Sequence, residues 1–400
     1  MFGPLHGLAV RTHALFIRRL VFSQPIPPCI AAAGLKRLEL TGGQHLDMPL
    51  DDLLAPLTKL TALHVDFVGA LPLPASLTRL TALRQLSFQG FRSPSQRELR
   101  SLLAPLTQLT SLTAPFVVDG SCRLPDLPSL QYLDISRVAE GGLALLAASC
   151  PALASLKARG SVAIGATDAA ARLPALTSLA CWGGCTVAPS ARAQFSLAAY
   201  APALKILAVY GSGSVMQLPA VFDKLTSLSE LEWHPAGGEP LVMGTREWQA
   251  LAALPDLRCF SGSIELGEGA AHMSACVSFC TQLTKLRLTL GTSASQARCC
   301  MELAAGMQAS RVQDFTLRWN LSGAAAPELP TRFWELLESW PRLSVVRLSC
   351  RCTPEQLAGL CASPTVTHVT VPFSGRDVLD QQSQLMHAHR AKELHIQWCS

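Results

Sequence analysis

Histidine and cysteine are the residues of this chain best suited to metal or nucleophilic chemistry, and there are 10 and 14 of them. Their spacing argues against both uses. Cys181 and Cys185, Cys276 and Cys280, Cys299 and Cys300, and Cys350 and Cys352 lie close in sequence, but no CxxC occurs and no second pair completes a zinc ligand set. His368, His387, His389 and His395 can approach one another near the end of the chain, a pattern that reads as a solvated cluster. Gly211 to Ser214 alternates glycine and serine but lacks the third glycine of a dinucleotide loop, and the phosphate-loop lysine, HExxH and GxSxG motifs are missing. Asn320, Leu321 and Ser322 form a formal glycosylation sequon. The residues therefore predict no catalytic group, no cofactor and no metal, and leave molecular recognition as the chemistry to look for.

Recognition depends on which side chains face outward, and the leucines settle that. From Leu77 to Phe88, leucines at 77, 80, 83 and 86 are followed by Phe88. The same skeleton of an apolar residue, two others, leucine, two others, leucine, one other and an apolar residue returns at Leu57 to Val65, Leu127 to Ile135, Cys150 to Ala158, Leu173 to Cys181, Ala201 to Val209, Leu225 to Trp233, Cys280 to Leu288 and Trp340 to Leu348. Marking each unit by the residue that opens its final apolar-x-apolar triplet gives Leu38, Leu63, Leu86, Leu112, Leu133, Leu156, Leu179, Leu207, Leu231, Phe260, Leu286, Phe315, Val346, Val369 and Leu394. That is about 15 units with a mean period of about 25 residues. Alternation after each marker, as in Leu63, His64, Val65 and Asp66, is that of a strand with one buried face. One such unit cannot cover its own apolar face, so it must stack on the next.

Over residues 35–400 the chain resembles the leucine-rich-repeat family. The resemblance implies an α/β solenoid, a horseshoe with about 15 parallel strands on its concave face, right-handed crossovers, and helices or irregular turns on its convex face. It also implies a protein partner on the concave face. The asparagine of the family pattern is nearly absent: only Asn320 falls at the matching position. That predicts irregular convex turns over an intact sheet.

The outward positions supply the candidate binding residues. Three residues after the marker, successive units place Arg159, Trp182, Tyr210 and His234, a row about 14 Å long if neighbouring strands lie about 4.8 Å apart. Tyr132, Glu230 and Glu232 occupy neighbouring outward positions, and Lys285, Arg287, Arg318 and Arg347 form a basic stripe that Asp314 interrupts. Trp, Tyr and Arg are the types enriched where binding energy concentrates. The stripe reads as a solvated face or as a surface for an acidic protein. With a pI of about 8.6, nucleic acid is not the expected partner.

Composition agrees with a large buried repeat. Apolar residues make up 49%, charged residues only 15%, and mean hydropathy is +0.28. The net charge of +5 is mild. No unbroken apolar run is long enough to span a bilayer, so no membrane is expected. Cys150, Cys181 and Cys280 fall in inward slots, which suit small buried thiols and predict a reducing, cytoplasmic setting. Residues 1–34 read as an N-terminal cap or a targeting segment, since the first 38 residues carry Arg11, Arg18, Arg19, Lys36 and Arg37 but no acid. An organelle transit peptide is the alternative, and the ciliary axoneme is another possible location. The loop from Ala236 to Gly244 is the candidate hinge, and helices are expected at Ser93 to Leu103, Gly141 to Ser149, Thr245 to Leu254, Gly269 to Cys280, Ser293 to Met307 and Leu329 to Trp340. The last strand, expected at Leu394 to Trp398, presents an edge suited to self-association. Together these features predict a non-enzymatic protein-interaction scaffold. The alternatives are the substrate-reading part of an F-box-type ubiquitin-ligase adaptor, or a structural or regulatory component of the axoneme.

Overall fold

The computed structural model describes residues 14–18, 34–42, 50–71, 73–91, 95–122, 124–188, 196–211, 225–234, 241–266, 270–291, 294–319, 329–350, 352–372 and 395–399. The chain divides into two compact units, residues 1–203 and 204–400. That division falls ahead of the expected hinge at 236–244.

In the first unit β1 (Ala14–Arg18), β2 (Arg37–Gly42), β3 (Ala62–Leu71), β4 (Gln85–Phe91), β5 (Ser111–Val118), β6 (Tyr132–Val138) and β7 (Ser155–Ala158) pair in sequence order, all parallel. The short β8 (Val162–Ile164) lies beside the end of β6, while β7 continues to β9 (Ser178–Cys181) and β8 to β10 (Cys185–Val187). The second unit runs β11 (Ile206–Tyr210), β12 (Glu230–His234), β14 (Cys259–Glu265), β15 (Lys285–Leu290), β16 (Asp314–Trp319), β17 (Val345–Leu348), β18 (His368–Pro372) and β19 (His395–Cys399), again parallel, with β13 (Leu241–Val242) against the end of β14.

The register follows the repeat. Leu38, Leu63, Leu86, Leu112, Leu133, Leu156 and Leu179 are Cα partners in turn, and all are buried. In the second unit Leu207, Leu231, Phe260, Leu286, Phe315, Val346 and Val369 do the same. The final position is held by Ile396, two residues beyond the expected Leu394. Together the two ladders hold roughly the 15 parallel strands that the period predicts.

The leucines upstream of each strand sit three apart because the chain turns there with bonds between residues three apart. Leu60 N–H donates to the carbonyl of Leu57 at 3.0 Å, and Leu83 to Leu80, Leu109 to Leu106 and Leu228 to Leu225 repeat the bond. In such a 3₁₀-like turn side chains at i and i+3 fall on one side, which points both leucines into the core.

A second series of bonds ties successive units together just ahead of each strand. The carbonyl of Lys36 accepts from both Thr61 N–H at 2.8 Å and Ala62 N–H at 2.9 Å, and the same double bond recurs from unit to unit in each ladder. The hydroxyls of Thr61, Thr110 and Thr177 in the first unit, and of Ser229, Thr284, Ser344 and Thr367 in the second, each add a bond to the same carbonyl. Where a Thr or Ser stands two residues before the marker, its hydroxyl thus adds a tie to the preceding unit.

Helices fill the connections. The first unit has α1 (Leu50–Leu54), α2 (Gln96–Leu103), α3 (Gly142–Ser149) and α4 (Leu197–Tyr200). The second has α5 (Thr245–Ala252), α6 (Ala270–Thr281), α7 (Ala294–Gly306), α8 (Thr331–Glu338) and α9 (Pro354–Ala362), each packed on the next. α2 starts later than expected. Its cap is Ser95, whose hydroxyl accepts from Glu98 N–H at 3.3 Å while the Glu98 carboxylate accepts from Ser95 N–H at 2.8 Å, the reciprocal pairing of a capping box. The buried Asp168 holds the start of α3 from the next unit. Its carboxylate accepts from Gly141 N–H and Ala144 N–H, both at 2.9 Å, and from Gly165 N–H at 2.8 Å. Gly141 takes the left-handed conformation there, at φ +78°, which glycine adopts without strain.

Two irregular units have local causes. Pro115 in β5 has no N–H to give, and the β5–β6 register shifts between Ala114 and Val117, as a bulge at a strand proline does. Gly262 follows Phe260 on the buried face, and a Cβ there would lie 2.8 Å from the Phe260 ring. The small residue makes room for an aromatic cluster of Phe260, Phe279 and Trp248, with Phe279 5.4 Å from each of the other two rings.

Candidate functional site

The inward face of each ladder is committed to the core, which leaves the outward face to meet solvent. In the first unit that face is built around Asp134, one residue past its marker. It is outward by register yet only 4% exposed, because longer side chains on the next strand close over it. Arg159 grips it with both nitrogens of a fork, Nε to Oδ1 at 2.9 Å and Nη2 to Oδ2 at 3.1 Å, and Lys157 Nζ lies 3.8 Å from Oδ2. The third arginine nitrogen, Nη1, donates to Gln89 Oε1 at 3.0 Å. The Asp134 bonds raise the pKa of Arg159, while burial, followed by the Asp134 charge, raises that of Tyr132.

Beside this network stands Trp182, with 53% of its surface exposed. Its backbone N–H donates to Ala158 O at 2.9 Å, and Lys157 Nζ sits 4.7 Å from its ring centre, within cation–π range. Lys157 thus braces the indole from below with the charge it shares with Asp134. Arg159 and Trp182 belong to one unit, whereas Tyr210 and His234 belong to the other.

In the second unit Tyr210 and His234 are neighbours by register and their rings stack, 5.3 Å between centres and 13° between planes. The Tyr210 hydroxyl donates to the Glu232 carboxylate, and His234 Nε2 lies 3.1 Å from Ser261 Oγ. Burial, reinforced by Glu232, pushes the Tyr210 phenol well up. Burial lowers the pKa of His234, and the charge of Arg318 lowers it further against the opposing effect of Glu232. Glu230 occupies the outer end of the same strand and is half-buried.

The basic stripe is arranged by the acid expected to interrupt it. Asp314 takes Arg347 Nη1 on Oδ1 at 2.6 Å and Arg287 Nη2 on Oδ2 at 3.4 Å. It holds the two guanidiniums to either side of its own strand. Arg318 and Lys285 are exposed and have no ion pair among the described residues. A groove of about 410 Å3 runs from Tyr210 and Glu232 to Arg318 and Arg347, floored in part by Thr316. The periodicity places these residues at outward strand positions, but it does not show Asp134 as the partner of Arg159 or Ser261 as that of His234. The signal is an acid or hydroxyl level with a basic residue on the next strand, as Asp134 is with Lys157 and Ser261 with Arg287.

Among the described residues no three His, Cys, Asp or Glu side chains converge as metal ligands, and no helix is long and apolar enough to cross a membrane. His387 and His389 lie outside the described residues, as do Asn320 and Ser322. The described cysteines form no disulfide with one another, and most are buried. Burial pushes Cys150 and Cys350 up to about 12, which keeps them protonated and unreactive.

No model of a protein family matches the chain, and no curated protein does. Among solved structures it is similar to a leucine-rich-repeat protein of Leptospira interrogans, with 15% identity, a TM-score of 0.49, and coverage of 93% of this chain and 86% of that one. The 25-residue spacing, the inward leucines and the parallel ladders of the chain itself are those of the leucine-rich-repeat fold.

Proposed function

We propose that this protein is a non-enzymatic interaction scaffold that docks a protein partner on the outward face of its parallel strands. The observation that carries this reading is Trp182. A large aromatic ring, half exposed, is held in place by Lys157 next to an arginine already fixed by a buried aspartate. Fixed aromatic and arginine side chains spend little conformational entropy on binding, and these types dominate interface hot spots. The second unit offers a matching arrangement in the stacked Tyr210 and His234. Its titratable groups are tied into hydrogen bonds on the same face, which suits a rigid docking surface.

Affinity capture from the source cell, with the wild type and Trp182→Ala in parallel, tests this reading. The variant is expected to lose its captured partner by about tenfold or more, with thermal unfolding unchanged because the ring faces solvent. Equal capture by the two proteins would contradict it.

A further inference from the structure

We propose that the groove of the second unit is an oxyanion-recognition site that takes the carboxylates of an acidic peptide segment. The proposal deepens the reading of the outward face as a docking surface, and rests on it. Register places Arg287, Thr316 and Arg347 side by side at one level of three successive strands. Arg318 stands two residues further along the central strand. Asp314 is bonded to both Arg287 and Arg347, so a single carboxylate is divided between two guanidiniums. Arg318 has no anionic partner among the described residues. Three guanidiniums, Arg287, Arg318 and Arg347, thus face two carboxylates, Asp314 and the Glu232 that accepts from Tyr210 at the far wall, and the net charge at the groove is positive.

The second, independent observation is the Thr316 hydroxyl. Thr316 is only 4% exposed, lines the groove, and its Oγ1 has no hydrogen-bond partner among the described residues. A buried hydroxyl without a partner is costly, and native proteins seldom leave one. Set between two arginines, it is a donor placed to complete the coordination of an oxyanion, to which guanidiniums bind through parallel N–H bonds. The groove's volume of about 410 Å3 is that of more than ten waters at about 30 Å3 each. It admits side chains of a peptide rather than only a small ion. Its far wall, Tyr210 and His234, gives an aromatic surface against which peptide stems can lie.

Fluorescence anisotropy of the full chain with a labelled oligoglutamate peptide, and with oligoglutamine of the same length, tests the proposal. Oligoglutamate is expected to bind at least about tenfold more tightly than oligoglutamine, and more weakly as salt rises. Arg318→Gln removes an exposed, unpaired charge and should weaken oligoglutamate binding by about tenfold, with Arg318→Lys in between. Thr316→Val keeps the shape and should weaken binding while leaving the unfolding temperature equal or higher, an outcome that a merely structural hydroxyl would not give. Equal binding of the two peptides, unchanged binding in Arg318→Gln, or preference for a phosphoserine peptide over oligoglutamate would overturn it. Failure here with partner capture still dependent on Trp182 would remove the acidic-peptide assignment and leave the scaffold reading standing.

Discussion

His234 shows what a single outward residue experiences on this face. Its ring is stacked on Tyr210, bonded to Ser261 and partly buried, and its pKa is lowered chiefly by that burial. The unfolded chain, where histidine titrates near about 6.5, therefore binds the proton more readily than the folded one. Stability should be fully present above that value and fall as pH drops through the lowered folded value. Thermal unfolding followed from about pH 7.5 down to about pH 5.5 should show the fall, and His234→Gln should reduce it. An identical pH profile in the variant would show that His234 does not contribute. The sequence placed His234 in its column by counting from Leu231, which holds because side chains alternate strictly along a strand. Counting does not show how far a side chain reaches. For that reason Asp314 looked like a break in the basic stripe, when it is the group that holds Arg287 and Arg347.

At the scale of one repeat, two kinds of contact hold the structure, and each has its own test. The inward leucines carry most of the burial. Leu83 and Leu228 are wholly enclosed, so Leu83→Ala or Leu228→Ala should each cost about 2–5 kcal/mol in denaturant unfolding. A loss below about 0.5 kcal/mol would show that these side chains are not core. The connections depend on buried polar groups instead. Asp168→Ala would leave the N–H groups of Gly141, Ala144 and Gly165 without partners and should cost about 3 kcal/mol or more. A change within about 0.5 kcal/mol would mean that water or a neighbour replaces the carboxylate.

The leucines were legible in the sequence because their spacing is set by the turn that feeds each strand. The last unit was not. Leu394, Ile396 and Trp398 alternate, so a shift of two residues keeps every side chain on the same face and the pattern alone cannot choose between Leu394 and Ile396. The sequence puts the start of α2 at Ser93, yet Ser95 with Glu98 three residues later forms the complete capping box. The hydroxyl column at Thr61, Thr110 and their equivalents was visible as a recurrent Thr or Ser. The family pattern does not point to it, because that pattern puts its polar residue, an asparagine, at another position.

For the whole molecule, the two units share one construction and differ in what fills it. The helices of the second unit are longer, and aromatic rings replace leucines in its core at Phe260, Phe315, Trp248 and Trp340. Each unit presents its own outward face. One is organised around Asp134, Arg159 and Trp182, the other around Tyr210, His234 and the arginines held by Asp314. Both follow from the same division, in which alternate residues of a strand go to the core and the rest to the outward face, where we propose that the partner docks.

Hydroxyl-radical footprinting of the free chain and of its complex with the captured partner tests that division most directly, because radicals oxidise exposed aromatic rings in proportion to their accessibility. Oxidation of Trp182 should be fast in the free chain and slow by severalfold in the complex, while the buried Trp248, Trp334 and Trp340 stay protected in both. Unchanged oxidation of Trp182 in the complex, with new protection confined to the helical connections, would contradict the account.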